Sequence, residues 1–222
     1  MPNLGKAQAL AGQLDGHVHG LKLGLEFFMA HGADGYRAIA SKTKMPIFLD
    51  VKLHDIPNTV AGALNALLPL QPAFITIHTS GGAAMMLAAT DVAAKAGANR
   101  PKLLGVTVLT SMDAGDLAAV GQQADSKQQV LKLAGLAKQN GLDGVICSPE
   151  EVALLRKELG PDFILMVPGI RPSWAAAGDQ KRVMTPKEAM TAGATYLVIG
   201  RPITGAENPV DAARRVTAEL AA

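Results

Sequence analysis

Two carboxylates and a lysine fall close together in the run Asp50-Val-Lys-Leu-His-Asp55. Side chains alternate between the faces of a strand, so Asp50 and Lys52 share one face and Val51 and Leu53 the other. Such a pair can simply neutralise itself, because buried charge is costly unless paired. It also lies at the C-terminal end of the run IFLDVKL, where barrel enzymes place catalytic groups. A salt bridge capped by a third acid explains the pairing but not why an apolar strand should carry both charges, so the chemical reading is preferred. Asp55 follows in a loop, ahead of Pro57 and a helix with Asn58 as its candidate cap. Lys22, in Gly20-Leu-Lys-Leu-Gly24, is a second lysine inside an apolar strand. As an edge residue it would discourage aggregation, but a closed barrel has no free edge. In a barrel, Lys22 and Lys52 would project from neighbouring strands and alternate with carboxylates in a charged row.

Towards the C-terminus the residues suit an anion. The apolar stretch 196–200 ends in Gly200-Arg201-Pro202. Glycine permits close backbone approach, and arginine offers a planar fork to phosphate oxygens. Barrel enzymes often hold phosphate after their last two strands, on backbone N–H groups and a short helix N-terminus. Upstream, Pro168-Gly-Ile-Arg171-Pro172 is followed by a long Ala/Gly-rich loop that passes through Gly178-Asp-Gln180 to Met184. A loop of that length is a ligand lid or a flexible surface segment, and length alone favours neither. His17 and His19 share a face as two metal ligands would, but no further His or Cys cluster supports them, so no metal is expected. His54 and His78 lie at strand ends near the presumed site, with no role assigned. Cys147, in the apolar run GVICS, reads as a buried structural thiol.

The elements that must position these groups are short apolar strands alternating with helical patterns. The strands are expected at 18–25, 45–53, 73–79, 103–110, 144–148, 163–169 and 196–200. Several are nearly continuous apolar runs, as parallel strands covered by helices should be. Helical spacing covers 4–14, 59–70, 83–96 and 150–159. Ser148-Pro-Glu-Glu151 and Thr185-Pro-Lys-Glu188 place a hydroxyl, a proline and an acid as helix starts require, and both are read as structural caps. A doubly wound nucleotide fold would show a Gly-rich turn after its first strand, and no GxGxxG occurs. A (β/α)8 TIM barrel is therefore preferred. Such a barrel opens with a strand, whereas this sequence opens with a helical segment and shows only seven strands. The first strand is thus expected to be missing, with the gap between the Lys22 strand and 196–200.

The 222 residues are 49% hydrophobic and 18% charged, and no compositional shift marks a linker, so residues 1–222 are expected to form one domain. A net charge of +2 without a polybasic run gives no reason to expect a nucleic-acid or membrane partner. One cysteine precludes an intrachain disulfide, and no signal-peptide pattern opens the chain, so a cytoplasmic location is expected.

The run Asp50-Val-Lys52-Leu-His-Asp55-Ile-Pro-Asn-Thr59 resembles the signature of bacterial-type orotidine 5′-monophosphate decarboxylases. The likeness continues in order through Leu21-Lys22-Leu-Gly24, His78-Thr-Ser-Gly-Gly82, Val108-Leu-Thr110-Ser-Met112, Pro168-Gly-Ile-Arg171-Pro172, Gly178-Asp-Gln180 and Gly200-Arg201-Pro202. The resemblance implies a carbon–carbon lyase of pyrimidine synthesis that forms uridine 5′-monophosphate without a cofactor. It implies that Lys52 protonates C6 while Asp50 stands beside the departing carboxylate. Lys22 and Asp55 would complete the charge network, with Asp55 and Thr59 reaching into the partner's site of a homodimer. Thr110 would bind the pyrimidine portion, helped by Ser111. Arg171, Gln180, Gly200 and Arg201 would bind around the phosphate.

The family's first strand ends in an Asp that contacts the ribose, shortly before a proline like Pro2; here Met1 falls just after that place. Two other readings follow. A magnesium-dependent sugar-phosphate decarboxylase or aldolase shares the Asp-x-Lys-x-x-Asp pattern, but Lys22 stands where such a relative would carry an acidic metal ligand. An incomplete barrel that dimerises or binds nucleotide without turnover is the non-enzymatic alternative.

Overall fold

A computed structural model describes residues 3–175 and 184–221. Its strands are β1 (Leu21–Gly24), β2 (Ile47–Leu53), β3 (Phe74–His78), β4 (Lys102–Val106), β5 (Gly144–Ile146), β6 (Ile164–Val167) and β7 (Tyr196–Leu197). The helices that matter to the site are α1 (Leu4–Leu14), α2 (Leu25–Ala40), α3 (Pro57–Leu67) and α4 (Gly82–Ala94). They continue with α5 (Ala114–Ala119), α6 (Ser126–Gln139), α7 (Val152–Leu159), α8 (Pro186–Thr191), α9 (Arg201–Thr204) and α10 (Pro209–Ala221).

All seven strands are parallel and pair in sequence order, β1 to β7. Both faces of the sheet are covered, which is why Ile75, Ile77, Leu103 and Leu165 are fully buried. Each such side chain contributes about 1.5–3 kcal/mol relative to exposure. Although β3 and β7 are far apart in the strand order, the Phe74 and Tyr196 rings meet edge-on at 5.2 Å. Phe48 approaches Phe74 at 6.1 Å, and Leu104 and Met166 join the same apolar layer. The sheet therefore curls around its own interior side chains as a barrel does. Among the described residues, β1 and β7 do not pair, and the curl stays open between them. The gap lies where the strand count puts it.

Several expected strands are shorter than their apolar runs. His17 and His19 precede β1 rather than lying on it, so they share no strand face. Residues 107–110 leave the sheet after Val106, and β7 keeps only Tyr196 and Leu197. The cause at β7 is its single neighbour: Val198 still donates from its backbone N–H to Val167 at 2.9 Å, but no second ladder extends the pairing. Of the two expected helix starts, Thr185 forms both halves of its cap, whereas at Ser148 only the Glu151 half forms and the buried Ser148 hydroxyl finds no partner among the described residues. The Thr185 backbone N–H donates to Glu188 at 2.9 Å, and the Thr185 hydroxyl accepts from the Glu188 N–H at 3.3 Å. The Ser148 backbone N–H donates to Glu151 at 2.8 Å, opening a short 3-10 turn ahead of α7. Cys147 is buried, and burial raises its thiol far above the ordinary range, which suits an inert core residue.

Candidate active site

A wholly parallel sheet brings all its strand C-termini to one rim, where barrel enzymes place their chemistry. That rim gathers Lys22, Asp50, Lys52 and His78 at the ends of β1, β2 and β3. Thr110 lies beyond β4, Arg171 beyond β6, and Gly200 with Arg201 beyond β7.

Asp50 is the centre of the charged group. Its Oδ2 accepts from the Lys22 ammonium at 3.1 Å, and its Oδ1 accepts from the Lys52 ammonium at 2.7 Å and from the Thr76 hydroxyl at 3.0 Å. Register explains why Lys22 reaches it, since Gly24 of β1 stands opposite Asp50 of β2 and Lys22 opposite Phe48. Only 12% of the Asp50 side chain is exposed, against 36% for Lys22 and 32% for Lys52. Burial alone would raise the Asp50 carboxyl, but the Lys22 charge and the Lys52 hydrogen bond outweigh it and hold the group below the usual carboxylate range. The site thus keeps an ionised acid between two cations whose side chains are partly exposed.

Lys52 is not in regular strand conformation. Its φ is +50°, in the left-handed region that a side chain bearing a Cβ rarely adopts. From Leu49 to Leu53 strand β2 advances four residues while β3 advances only from Ile75 to Ile77. A bulge of this kind re-aims a side chain beside an active site. The simple alternation of a flat strand put Asp50 and Lys52 together for an incomplete reason: the bulge also shapes the pair.

Thr76 carries no charge and lies outside the expected motifs, so sequence reasoning passed over it. Its signal was available, because it is the hydroxyl inside the otherwise apolar run Phe74-Ile-Thr-Ile77, alternating with His78. The His54 and His78 rings lie 5.2 Å apart beside this group. Burial, reinforced by the His54 and Lys52 charges and opposed by Asp50, pushes the His78 imidazole below its ordinary value and favours its neutral form.

Asp55 and Thr59 do not join the cluster. Both are exposed, at the start of α3, and Asp55 accepts from the Ile56 backbone N–H at 2.6 Å. Thr110 is half-buried. Lys22, Gly200 and Arg201 line one cavity of about 540 Å³ between β1 and the 198–204 segment that follows β7. Gly200 precedes α9, whose first turn closes with the Ile203 and Thr204 N–H groups donating to the Gly200 carbonyl at 2.9 Å. Arg171 donates from its backbone to Met184 at 3.0 Å, pinning together the two ends of the segment between them. Gln180 lies outside the described residues. No group of three or more His, Cys, Asp or Glu among the described residues could hold a metal ion, and no described helix is long and apolar enough to cross a membrane.

A curled parallel sheet with paired ions at its C-terminal rim defines an enzyme of the α/β TIM-barrel type. The model of the orotidine 5′-phosphate decarboxylase / HUMPS family matches residues 1–216. Orotidine 5′-phosphate decarboxylase of Rhodospirillum rubrum is 50% identical over 221 residues, covering 98% of this chain and 90% of its own. That of Paramagnetospirillum magneticum is 52% identical over 219 residues, covering 97% and 93%. The crystal structure of orotidine 5′-phosphate decarboxylase from Lactobacillus acidophilus superposes with a TM-score of 0.78 at 40% identity, over 90% of this chain and 86% of that one. The chain belongs to the orotidine 5′-phosphate decarboxylase / HUMPS family. It is a decarboxylase, a carbon–carbon lyase.

Proposed function

We propose that the protein converts orotidine 5′-monophosphate to uridine 5′-monophosphate, the last step of de novo UMP synthesis, by direct protonation of C6 from Lys52. The observation that carries this reading is Asp50 held between the Lys22 and Lys52 ammonium groups at 3.1 and 2.7 Å. When the bond from C6 to the carboxylate breaks, its electron pair stays on C6 and carbon dioxide leaves. No adjacent carbonyl can take up that charge as an enolate. A fixed ammonium stabilises it without reorganising and then gives up its proton. Asp50, kept ionised and beside the departing carboxylate, is repelled by the substrate and relieved as carbon dioxide departs.

The remaining roles rest on the resemblance to the family, supported for Thr110, Arg171, Gly200 and Arg201 by their place after the strands of the rim. Thr110 contacts the pyrimidine, while Arg171, Gln180, Gly200 and Arg201 hold the phosphate. Grip on that unreactive group supplies binding energy for aligning C6 with Lys52. Asp55 and Thr59, exposed and outside their own chain's cluster, enter the site of a second subunit in a homodimer. Chemistry of this kind needs no cofactor, and the enzyme works in the cytoplasm.

The test is Lys52→Ala, assayed for decarboxylation of orotidine 5′-monophosphate and for binding of uridine 5′-monophosphate. Turnover should vanish while product binding persists. Near-parental turnover overturns the proposal. Treatment of the parent with EDTA should leave its activity unchanged; loss of activity would favour the magnesium-dependent sugar-phosphate reading.

A further inference from the structure

Thr76 is fully buried in β3, flanked by Ile75 and Ile77. Its hydroxyl makes two bonds, accepting from the Lys52 backbone N–H at 2.9 Å and contacting Asp50 Oδ1 at 3.0 Å. The directions are fixed by chemistry. A backbone N–H can only donate and an ionised carboxylate can only accept, so the single hydroxyl proton goes to Asp50. Asp50 Oδ1 also accepts from the Lys52 ammonium at 2.7 Å. Lys52 is therefore tied at both ends into one ring, from its N–H through Thr76 and Asp50 back to its own ammonium.

The bulge shows why a hydroxyl is needed. Because β2 runs ahead of β3 between Leu49 and Leu53, Lys52 lacks a regular ladder partner on β3. A backbone N–H withdrawn from water must still find an acceptor. The left-handed conformation at Lys52 is unfavourable by itself and persists only where the surroundings enforce it. Thr76 provides both the acceptor and the enforcement, and it orients the carboxylate that holds the ammonium.

We infer that Thr76 is a positioning residue for decarboxylation: it locks the left-handed turn at Lys52 and the Asp50 carboxylate, and so sets where the proton-donating ammonium stands. This rests on the reading of Lys52 as proton donor. Thr76 reaches the reaction only through those two residues, so its removal should slow the chemical step and leave phosphate and base binding nearly untouched.

The experiment compares Thr76→Val, which keeps the shape and loses the hydroxyl, with Thr76→Ser, which keeps the hydroxyl. Misplacing the ammonium should cut kcat in the valine variant by about ten- to a hundredfold, with KM changed less than about threefold. Affinity for uridine 5′-monophosphate should stay near parental, and serine should restore most of kcat. If valine prevents folding, Thr76→Ala is compared with serine in the same assays. Parental kcat in the variant lacking the hydroxyl, a loss confined to KM, or serine no better than valine or alanine would overturn the inference. Parent and Lys52→Ala are assayed alongside. A parent that does not decarboxylate orotidine 5′-monophosphate, or Lys52→Ala that does so at the parental rate, overturns the underlying reading and the positioning role with it.

Discussion

Asp50 is more buried than either lysine it binds, and this asymmetry decides what the cluster can do. The carboxylate is a fixed internal charge, whereas the lysine side chains remain partly exposed. The same asymmetry makes stability depend on pH. Asp50 has a folded-state pKa below its unfolded value of about 3.8, so its contribution is fully present above that value. It falls away as pH drops through the lower folded value. Asp50→Asn removes both the charge and its linkage, leaving two lysines without their shared acceptor. The parent should therefore exceed the variant in stability at neutral pH, and the difference should shrink on acidification below the unfolded value. Urea denaturation of both proteins across that range measures it, and a difference that grows with acid would contradict the assignment. Asp50, Lys52 and Lys22 were legible in the sequence because charge in an apolar run is conspicuous. Thr76 was not, since threonine is an ordinary strand residue and its importance arises only from the bulge opposite it.

Whole elements were easier to find than their ends. Alternating apolar runs and caps located every strand and the opening helix, because burial on both faces of a parallel sheet imposes that composition. The lengths of β1, β4 and β7 were not legible, since an apolar residue can be buried without joining a ladder, as Val108 is. The bulge in β2 escaped for a related reason: it depends on how two strands run beside each other. Caps divided: Asn58 lies inside α3 rather than at its cap and the Ser148 hydroxyl bonds nothing among the described residues, whereas the local logic held at Thr185. Thr185 and Glu188 satisfy each other at the start of α8, directly after the segment that returns at Met184. Thr185→Ala should therefore destabilise the protein by about 0.5–2 kcal/mol, the usual cost of a lost helix N-cap. Chemical denaturation would show it, and an unchanged midpoint would mean that packing alone holds α8 in place.

In the molecule as a whole, the charged cluster is built within one chain while Asp55 and Thr59 stand outside it. If these two complete a second subunit's site, Lys52→Ala and Asp55→Ala chains should complement each other. A mixed dimer has one site with both defects and one with neither, so random pairing of equal amounts should restore about a quarter of parental activity. Co-folded proteins proven to form mixed dimers would test this, and no recovery would assign Asp55 to its own chain. The order of the strands carries a separate consequence, for the sequence of events in folding. Every ladder joins strands adjacent in the chain, so the whole sheet can be zipped progressively, one βα unit after another, while the polypeptide is still emerging. The junction of α1 with α10, where Leu14 meets Ala213 and Val216 in one apolar cluster, cannot be made that way. It joins helices far apart in the sequence, so it forms only once α10 has emerged, after the strands between them.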